Sequence, residues 1–283
     1  MKFQLKVLAA AMVLAAAVPA QAAMDLPQNL VTETGNSSMV LAMFDRAANV
    51  SAVFDLGKNY SDFNKIGTSF ADSNVDALGT SFSWDLTSGD YATAWSTFLP
   101  LVNLANVQWA VIGGDNFGAG AGNTSLIATL NQPEVTAITT YTTGAMKTQL
   151  GLLQQQLGNA QFTSTQIFEN HTQVANGGSV SNSTTTTQNI TYYFNGNKAN
   201  NAGSVVTANL DQSMAVFQLA SATLNTAQPT NTIFANNARF TLSSNGLLSY
   251  ATDPVVQVPE ADTWAMMLLG LGFMGFAARR KQA

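Results

Sequence analysis

Residues 37–57 read S-S-M-V-L-A-M-F-D-R-A-A-N-V-S-A-V-F-D-L-G. Two apolar runs, from Ser37 to Phe44 and from Ser51 to Leu56, flank the polar stretch from Asp45 to Asn49. Short apolar runs that alternate or cluster in this way are typical of β-strands, and a charged, small-residue stretch between them is typical of a turn. This part of the chain therefore predicts a β-hairpin.

Further strand candidates follow the hairpin along the chain. Val107 to Ile112 is one of them, and the sequence Gly113-Gly114-Asp115 is predicted to end it. Arg239 to Leu242 is expected to pair with Leu247 to Ala251 across Ser243-Ser244-Asn245-Gly246, because Asn-Gly tolerates the positive φ that a tight turn needs. Three more candidates are Ile190 to Phe194, Ser204 to Leu210 and Met214 to Leu219.

One long helix is predicted between Pro133 and Leu157, because four apolar residues recur there at helical spacing. Those residues are Met146, Leu150, Leu153 and Leu157. A shorter helix is expected near Ala92 to Leu104. The predicted fold class is therefore mainly β with one or two helices, either β-sandwich-like or α+β.

A polar segment from Thr163 to Thr191 stands apart from the predicted elements. In it, 19 of 29 residues are Ser, Thr, Asn or Gln. Such a composition buries too little apolar surface to form a core. The segment is therefore expected to be either flexible or an exposed, Thr-rich β-edge.

The composition excludes several classes of function. The chain has 16 Asp and Glu residues, 11 Lys and Arg residues and no cysteine. An acidic surface that is poor in Lys and Arg argues against nucleic-acid binding. Without cysteine there is no disulfide, no thiolate metal site and no thiol nucleophile. No cofactor is expected.

The first 22 residues have the three parts of a secretory signal peptide. Lys2 and Lys6 supply the positive charge, and Val7 to Val18 is the apolar run. Ala20 and Ala22 stand at the two positions that signal peptidase reads, so cleavage is expected after Ala22. The apolar run is too short for a membrane anchor. The exported body would then extend from residue 23 to residue 257.

Residues 258–283 combine a short polar motif, an apolar span and a basic cluster. Thr263 to Ala278 carries no charge and would make a helix about 24 Å long, near the lower limit for crossing a bilayer. Arg279, Arg280 and Lys281 should stay cytoplasmic, which would place the body across the membrane. A buried core helix is the alternative, but it explains neither the basic cluster nor the missing polar stripe.

This tail resembles the PEP-CTERM sorting signal of Gram-negative bacteria. The resemblance rests on Val258-Pro259-Glu260, on Trp264, on L-L-G-L-G at residues 268–272 and on the terminal A-A-R-R-K. It departs from the family at Ala261, where proline is most common. The resemblance implies that an exosortase cuts near the motif and that the mature protein reaches the cell surface or the extracellular matrix. It carries no activity, because the same tail occurs on enzymes, adhesins and some ice-binding proteins.

Residues able to support catalysis are few. His171 is the only histidine, and it lies in the polar segment without a neighbouring nucleophile motif, which is typical of a solvated loop residue. The glycines at 118, 120 and 122 follow a strand candidate, but their spacing departs from that of a dinucleotide-binding loop. Asp85 and Asp90 could form a glycosidase pair, although aspartates are frequent in this half of the chain.

One weak metal candidate is present. Asp72, Asn74 and Asp76 form the D-x-N-x-D opening of a calcium loop. Ala77 stands where the loop needs glycine, and Ser83 stands where it needs glutamate. Asx turns and helix caps are the alternative interpretation of these residues.

Three hypotheses for function remain open. The first is a non-enzymatic surface or matrix protein, processed by signal peptidase and an exosortase and associated with exopolysaccharide. The second is a secreted hydrolase whose carboxylates converge only in the fold. The third is an ice- or surface-adsorbing protein, although the flat Thr arrays of such proteins need a regular repeat that this sequence lacks.

Overall fold

The computed structural model describes residues 25, 35–48, 50–66, 70–117, 123–131, 146, 150, 153, 178–182, 207–221 and 229–254. Residues 1–253 form one compact unit, and residues 254–283 form a second unit, of which only Pro254 is described. Within these described ranges, no helix is both long and apolar enough to cross a membrane.

Eleven antiparallel strands form one sheet in the described part of the chain. Their order is β3-β11-β10-β8-β5-β4-β1-β2-β6, with β7 paired to β4 and β9 paired to β8. The strands are β1 Ser38–Asp45, β2 Val50–Asn59, β3 Ser81–Asp85, β4 Gln108–Phe117, β5 Asn123–Leu130, β6 Gly178–Asn182, β7 Ala208–Asn209, β8 Ser213–Ser221, β9 Thr230–Ile233, β10 Arg239–Leu242 and β11 Leu247–Ala251.

The described helical elements are short. Helix α1 comprises Tyr60–Phe63 and helix α2 comprises Ala92–Phe98. Three single 3₁₀ turns accompany them at Gly89–Tyr91, Leu99–Leu101 and Leu104–Asn106. Met146, Leu150 and Leu153 are helical as well, and the helix that contains them is called the covering helix below.

The predicted hairpin of residues 37–57 is confirmed as β1 and β2. Its turn is fastened by the buried side chain of Asp45, because Oδ1 accepts hydrogen bonds from the N–H groups of Ala47 and Ala48 at 2.9 and 3.2 Å. Oδ2 of Asp45 accepts a further bond from the N–H of Asn103 at 2.9 Å, which ties the turn to the chain that follows α2.

The sheet is buried on both faces along much of its width. One apolar cluster lies on the inner face, where the strands curve around aromatic side chains, including Phe54, Phe63, Trp109, Phe240 and Tyr250. A second cluster lies on the outer face, where the covering helix packs Met146, Leu150 and Leu153 against the sheet. The predicted apolar stripe therefore buries these three residues, while Leu157 lies outside the described residues.

The prediction that Gly113 and Gly114 end a strand is wrong. Strand β4 continues through both glycines as far as Phe117. A Cβ at residue 113 would lie 2.3 Å from Sδ of Met39, and one at residue 114 would lie 2.2 Å from Cδ2 of Leu150. These positions need glycine because the inner core and the covering helix approach the backbone closely there.

The two ends of the sheet approach each other, and side chains close the seam between them. Nε1–H of Trp84 on β3 donates to the carbonyl of Leu56 on β2 at 2.7 Å. The hydroxyl of Tyr91 donates to the carbonyl of Asp55 at 2.6 Å. Burial, followed by the charges of Asp55 and Asp90, raises the pKa of Tyr91 to about 12, so the hydroxyl keeps the proton that this bond needs.

Helix α2 packs against both sides of this seam. A Cβ at Gly178 on β6 would lie 2.9 Å from Cβ of Ala94, and one at Gly246 would lie 3.0 Å from the indole ring of Trp95. Gly246 has φ +90°, as the Asn-Gly turn predicts, and the hairpin of β10 and β11 is confirmed. Helix α2 therefore fills the gap between the two ends of the sheet, where no backbone hydrogen bonds of the described strands cross.

The mainly β prediction is confirmed, but the β-sandwich version of it is not. The described strands belong to one nearly closed sheet, whereas a sandwich needs two stacked sheets. Strands β3, β5 and β9, in which Ser, Thr and Asn are frequent, were not among the strand candidates. The predicted helix near Ala92 to Leu104 is shorter than expected, since 3₁₀ turns follow it from Leu99 onward.

The other predicted strands have mixed outcomes. Met214 to Leu219 is confirmed within β8, and only Ala208–Asn209 of Ser204 to Leu210 is a strand in the described residues. Ile190 to Phe194 lies outside the described residues. Of the polar segment from Thr163 to Thr191, Gly178–Asn182 is described, and it forms the strand at one end of the sheet.

We expect Trp84→Phe to lower the free energy of unfolding by about 1–3 kcal/mol, because the carbonyl of buried Leu56 loses its donor while an aromatic ring remains. Chemical denaturation at pH 7 measures this change. Ser83→Ala is the matched control on the same strand, since Ser83 is exposed, and it should change stability by less than about 0.5 kcal/mol. Equal stability of the two variants would contradict closure through the indole.

Candidate functional site

Asp76, the last residue of the calcium candidate, forms an ion pair with a lysine in this structure. Oδ1 of Asp76 lies 2.8 Å from Nζ of Lys65, and the two side chains are 12% and 18% exposed. Oδ2 of Asp76 accepts a hydrogen bond from the N–H of Ala235 at 3.0 Å. Asp72 and Asn74 are exposed. A calcium ion at this position would therefore have to displace an ammonium group from the carboxylate of Asp76.

The charge state of Asp76 follows from these contacts. Burial by itself would raise the pKa of Asp76, but the hydrogen bond from Lys65, the N–H of Ala235 and the positive charge of Lys65 outweigh it. The pKa of Asp76 therefore lies below its usual range. The carboxylate stays ionised at neutral pH and acts as an acceptor that joins separate loops.

Asp85, one member of the candidate glycosidase pair, does not have the electrostatics of a general acid. Both residues are exposed, Asp85 at the end of β3 and Asp90 in the 3₁₀ turn that precedes α2. The hydroxyl and N–H of Thr87 donate to Oδ1 of Asp85 at 2.6 and 2.9 Å and lower the pKa of Asp85. A glycosidase acid needs a raised pKa instead.

A buried polar network inside the sheet was missed by the sequence analysis. Nε2 of Gln218 lies 2.7, 2.8 and 2.9 Å from the Tyr60 hydroxyl, Oδ1 of Asn64 and Oγ of Ser125, and its two hydrogens are shared among these acceptors. Its Oε1 accepts from the N–H of Lys65 at 2.6 Å. The one available signal was a glutamine in the middle of an apolar strand. Because the four side chains are fully buried, this network joins elements rather than offering a surface to a substrate.

The outer face of β3, β11 and β10 contributes no described residue to the second apolar cluster. On β3, Phe82 and Trp84 pack against the inner core, so Ser81, Ser83 and Asp85 point outward. The register places Ser83 opposite Ser249 on β11, and Ser249 opposite Thr241 on β10. This outer surface of β3, β11 and β10, called the hydroxyl face below, carries short polar side chains.

The end of the body, from which the tail continues, is the second surface of interest. Thr252 and Asp253 follow β11 and are hydrogen-bonded to two loops, residues 76–80 and residues 235–237. The N–H of Asp253 donates to the carbonyl of Asn236, and its carbonyl accepts from the N–H of Gly79, both at 2.8 Å. Asn236 and Asn237 have φ of 52° and 55°, a conformation that asparagine tolerates better than most residues.

Several residues singled out in the sequence lie outside the described part of the chain. They include the signal-peptide residues Ala20 and Ala22, the motif Val258, Pro259 and Glu260, the span 263–278, the basic cluster Arg279, Arg280 and Lys281, the glycines at 118, 120 and 122, and His171. Among the described residues, no group of three or more His, Cys, Asp or Glu side chains is arranged to hold a metal ion.

The comparisons with known proteins concern the tail alone. Residues 257–281 match the family model of the PEP-CTERM protein-sorting motif, as the sequence resemblance predicts. This motif implies processing by an exosortase, export and sorting to the cell surface. No curated protein and no solved structure matches the chain. The body is therefore interpreted from its own geometry.

We expect Lys65→Met to lower the free energy of unfolding at pH 7 by about 1–3 kcal/mol, because it leaves the carboxylate of Asp76 without its cation. The lowered pKa of Asp76 means that the ion pair stabilises the fold above the unfolded-state pKa and that this stability is lost as the pH falls through the folded-state value. The difference between variant and wild type should therefore shrink below about pH 4. Urea unfolding at several pH values measures it.

Lys58→Met is the matched control for this substitution. Nζ of Lys58 lies 4.9 Å from the ring centre of Phe82, a cation–π contact, and no carboxylate of the described residues forms a salt bridge with it. Lys58→Met removes the same charge as Lys65→Met, but it should lower the free energy of unfolding by at most about 1 kcal/mol, with little dependence on pH in the acid range. An equal loss for both variants at pH 7 and pH 3 would argue against the role of the ion pair.

Proposed function

We propose that this protein is exported, processed by an exosortase at its C-terminal motif and delivered to the cell surface or extracellular matrix, where its body associates with exopolysaccharide and acts without catalysis. The match of residues 257–281 to the PEP-CTERM sorting motif carries the sorting part of this proposal. The charge-free span and the basic cluster after it agree with transient retention in the inner membrane.

The association with exopolysaccharide is supported by the character of the body. The hydroxyl face offers Ser81, Ser83, Thr241 and Ser249, which are donors and acceptors suited to the hydroxyl groups of a polysaccharide. Its charged residues Asp85 and Arg239 have opposite signs. Since these two charges cancel, a hydrated neutral polymer can contact this surface without the desolvation of a net charge.

The non-catalytic part of the proposal is supported by the carboxylates of the described chain. Asp45 and Asp76 are buried and bind backbone N–H groups of neighbouring loops. Asp85 binds Thr87 and has a lowered pKa. These side chains hold turns and loops in place, a structural task that leaves them poorly suited to general acid catalysis.

Replacing Pro259 and Glu260 together by alanine and glutamine tests the sorting proposal. We expect the full-length form to accumulate in the membrane fraction by about ten-fold or more, since the enzyme loses the motif that it reads. Immunoblots of fractions from a host that produces an exosortase measure the ratio. Asp90→Asn removes a similar charge from an exposed site in the body and should leave processing unchanged. Equal processing of all three proteins would refute the proposal.

Thr241→Val combined with Ser249→Ala tests the hydroxyl face. We expect retention of the purified protein in gels containing the host's exopolysaccharide to fall by about three- to ten-fold, because two hydroxyl contacts are lost. Ser96→Ala removes an exposed hydroxyl on α2 and serves as the control. Unchanged retention of the double variant, or no retention of the wild type, would contradict this use of the face.

A further inference from the structure

The end of the body is held by bonds on both sides of the chain. The Thr252 hydroxyl donates to the carbonyl of Ala77 at 2.7 Å, and its oxygen accepts from the N–H of Thr80 at 3.0 Å. The N–H of Thr252 donates to the carbonyl of Thr80 at 3.0 Å. Nδ2 of Asn237 donates to Oδ1 of Asp253 at 3.2 Å. We call residues 76–80, 235–237 and 252–253 the exit clamp.

Asp76 fastens the two loops of the exit clamp to each other. Its Oδ2 binds the N–H of Ala235, and its carbonyl accepts from Nδ2 of Asn236 at 2.8 Å. Its other carboxylate oxygen binds Lys65, which also donates from Nζ to the carbonyl of Ser73 at 2.6 Å. The clamp is therefore anchored to the body through a mostly buried ion pair.

The sorting motif follows the clamp at short distance along the chain. Four residues, Pro254 to Gln257, separate Asp253 from Val258. Even fully extended, four residues span at most about 14 Å. An enzyme that binds Val258 to Glu260 together with the residues before them therefore contacts backbone only a few residues from the clamp.

We propose that opening of the exit clamp controls the rate at which the sorting motif is processed. This inference rests on the proposed function, in which an exosortase acts near Val258 to Glu260. Processing enzymes bind their substrate as extended chain, so hydrogen-bonded residues next to the cleavage site must first be released. When opening is fast compared with cleavage, the cleavage rate follows the equilibrium population of the open form.

Two changes to the full-length chain test this inference in cells that produce an exosortase. Thr252→Val keeps the β-branched shape but removes the hydroxyl, so the half-time of processing in a pulse-chase experiment should fall about five-fold or more, because both hydrogen bonds of that hydroxyl are lost. A flexible Gly-Ser insertion of about eight residues after Pro254 supplies free chain without opening the clamp, and it should shorten the half-time at least as much.

The combination of the two changes distinguishes local opening from general destabilisation. With the insertion present, Thr252→Val should give no further acceleration, because the enzyme then no longer needs the clamp to open. Thr97→Val is the matched control, since its hydroxyl donates to the carbonyl of Thr93 at 2.7 Å on the exposed face of α2, far along the chain from the exit. It should leave the half-time unchanged.

Three results would overturn the inference. One is an unchanged half-time for Thr252→Val, and another is an acceleration of equal size with and without the insertion. The third is amide exchange on the purified chain in which Gly79 and Asp253 are as protected as Leu248 and Tyr250 of β11, since the clamp would then open only with the whole fold. No processing of any variant, the inserted one included, would refute the proposed function itself.

Discussion

Burial of β1 on both of its faces is the constraint on which the rest of the structure depends. All eight residues of this strand are buried. Met39, Leu41 and Met43 enter the inner core, while Val40, Ala42 and Phe44 enter the outer one. Because side chains alternate across a strand, a strand with this composition needs apolar cover on both sides. The curved sheet supplies the inner cover and the covering helix supplies the outer one.

This requirement also explains why the sheet is nearly closed. Closure brings the strands around an aromatic core, and the last gap is filled by α2 and by side-chain donors from Trp84 and Tyr91. The described residues of the covering helix pack with β1, β2, β4, β5 and β8, and the hydroxyl face of β3, β11 and β10 carries short polar residues. The same fold thus has a packed side and a polar surface, and the polar surface is the one for which we propose contact with exopolysaccharide.

The polar residues that mattered most in the structure were the hardest to find in the sequence. The period of the apolar residues revealed the hairpin of residues 37–57, the hairpin around Gly246 and the stripe of Met146, Leu150 and Leu153. No local pattern pairs Lys65 with Asp76 or brings Gln218 to Tyr60, because the first two are 11 residues apart, outside any helix or strand period, and the other two are 158 residues apart. The glycines of β4 were misread for the same reason, since the atoms that require them belong to Met39 and Leu150.

The sequence by itself showed that this protein carries a sorting signal, because such a signal is recognised as a linear motif and does not depend on the fold. It also determined the mainly β character, since strand periodicity is local. Only the tertiary structure decided that the strands form one sheet, that Asp76 is paired with a lysine, and that the chain is held at Thr252 and Asp253 just before the motif. Those features depend on contacts between residues that are not neighbours in the chain. Packing and burial set the free energy of such contacts, so the local sequence does not reveal them.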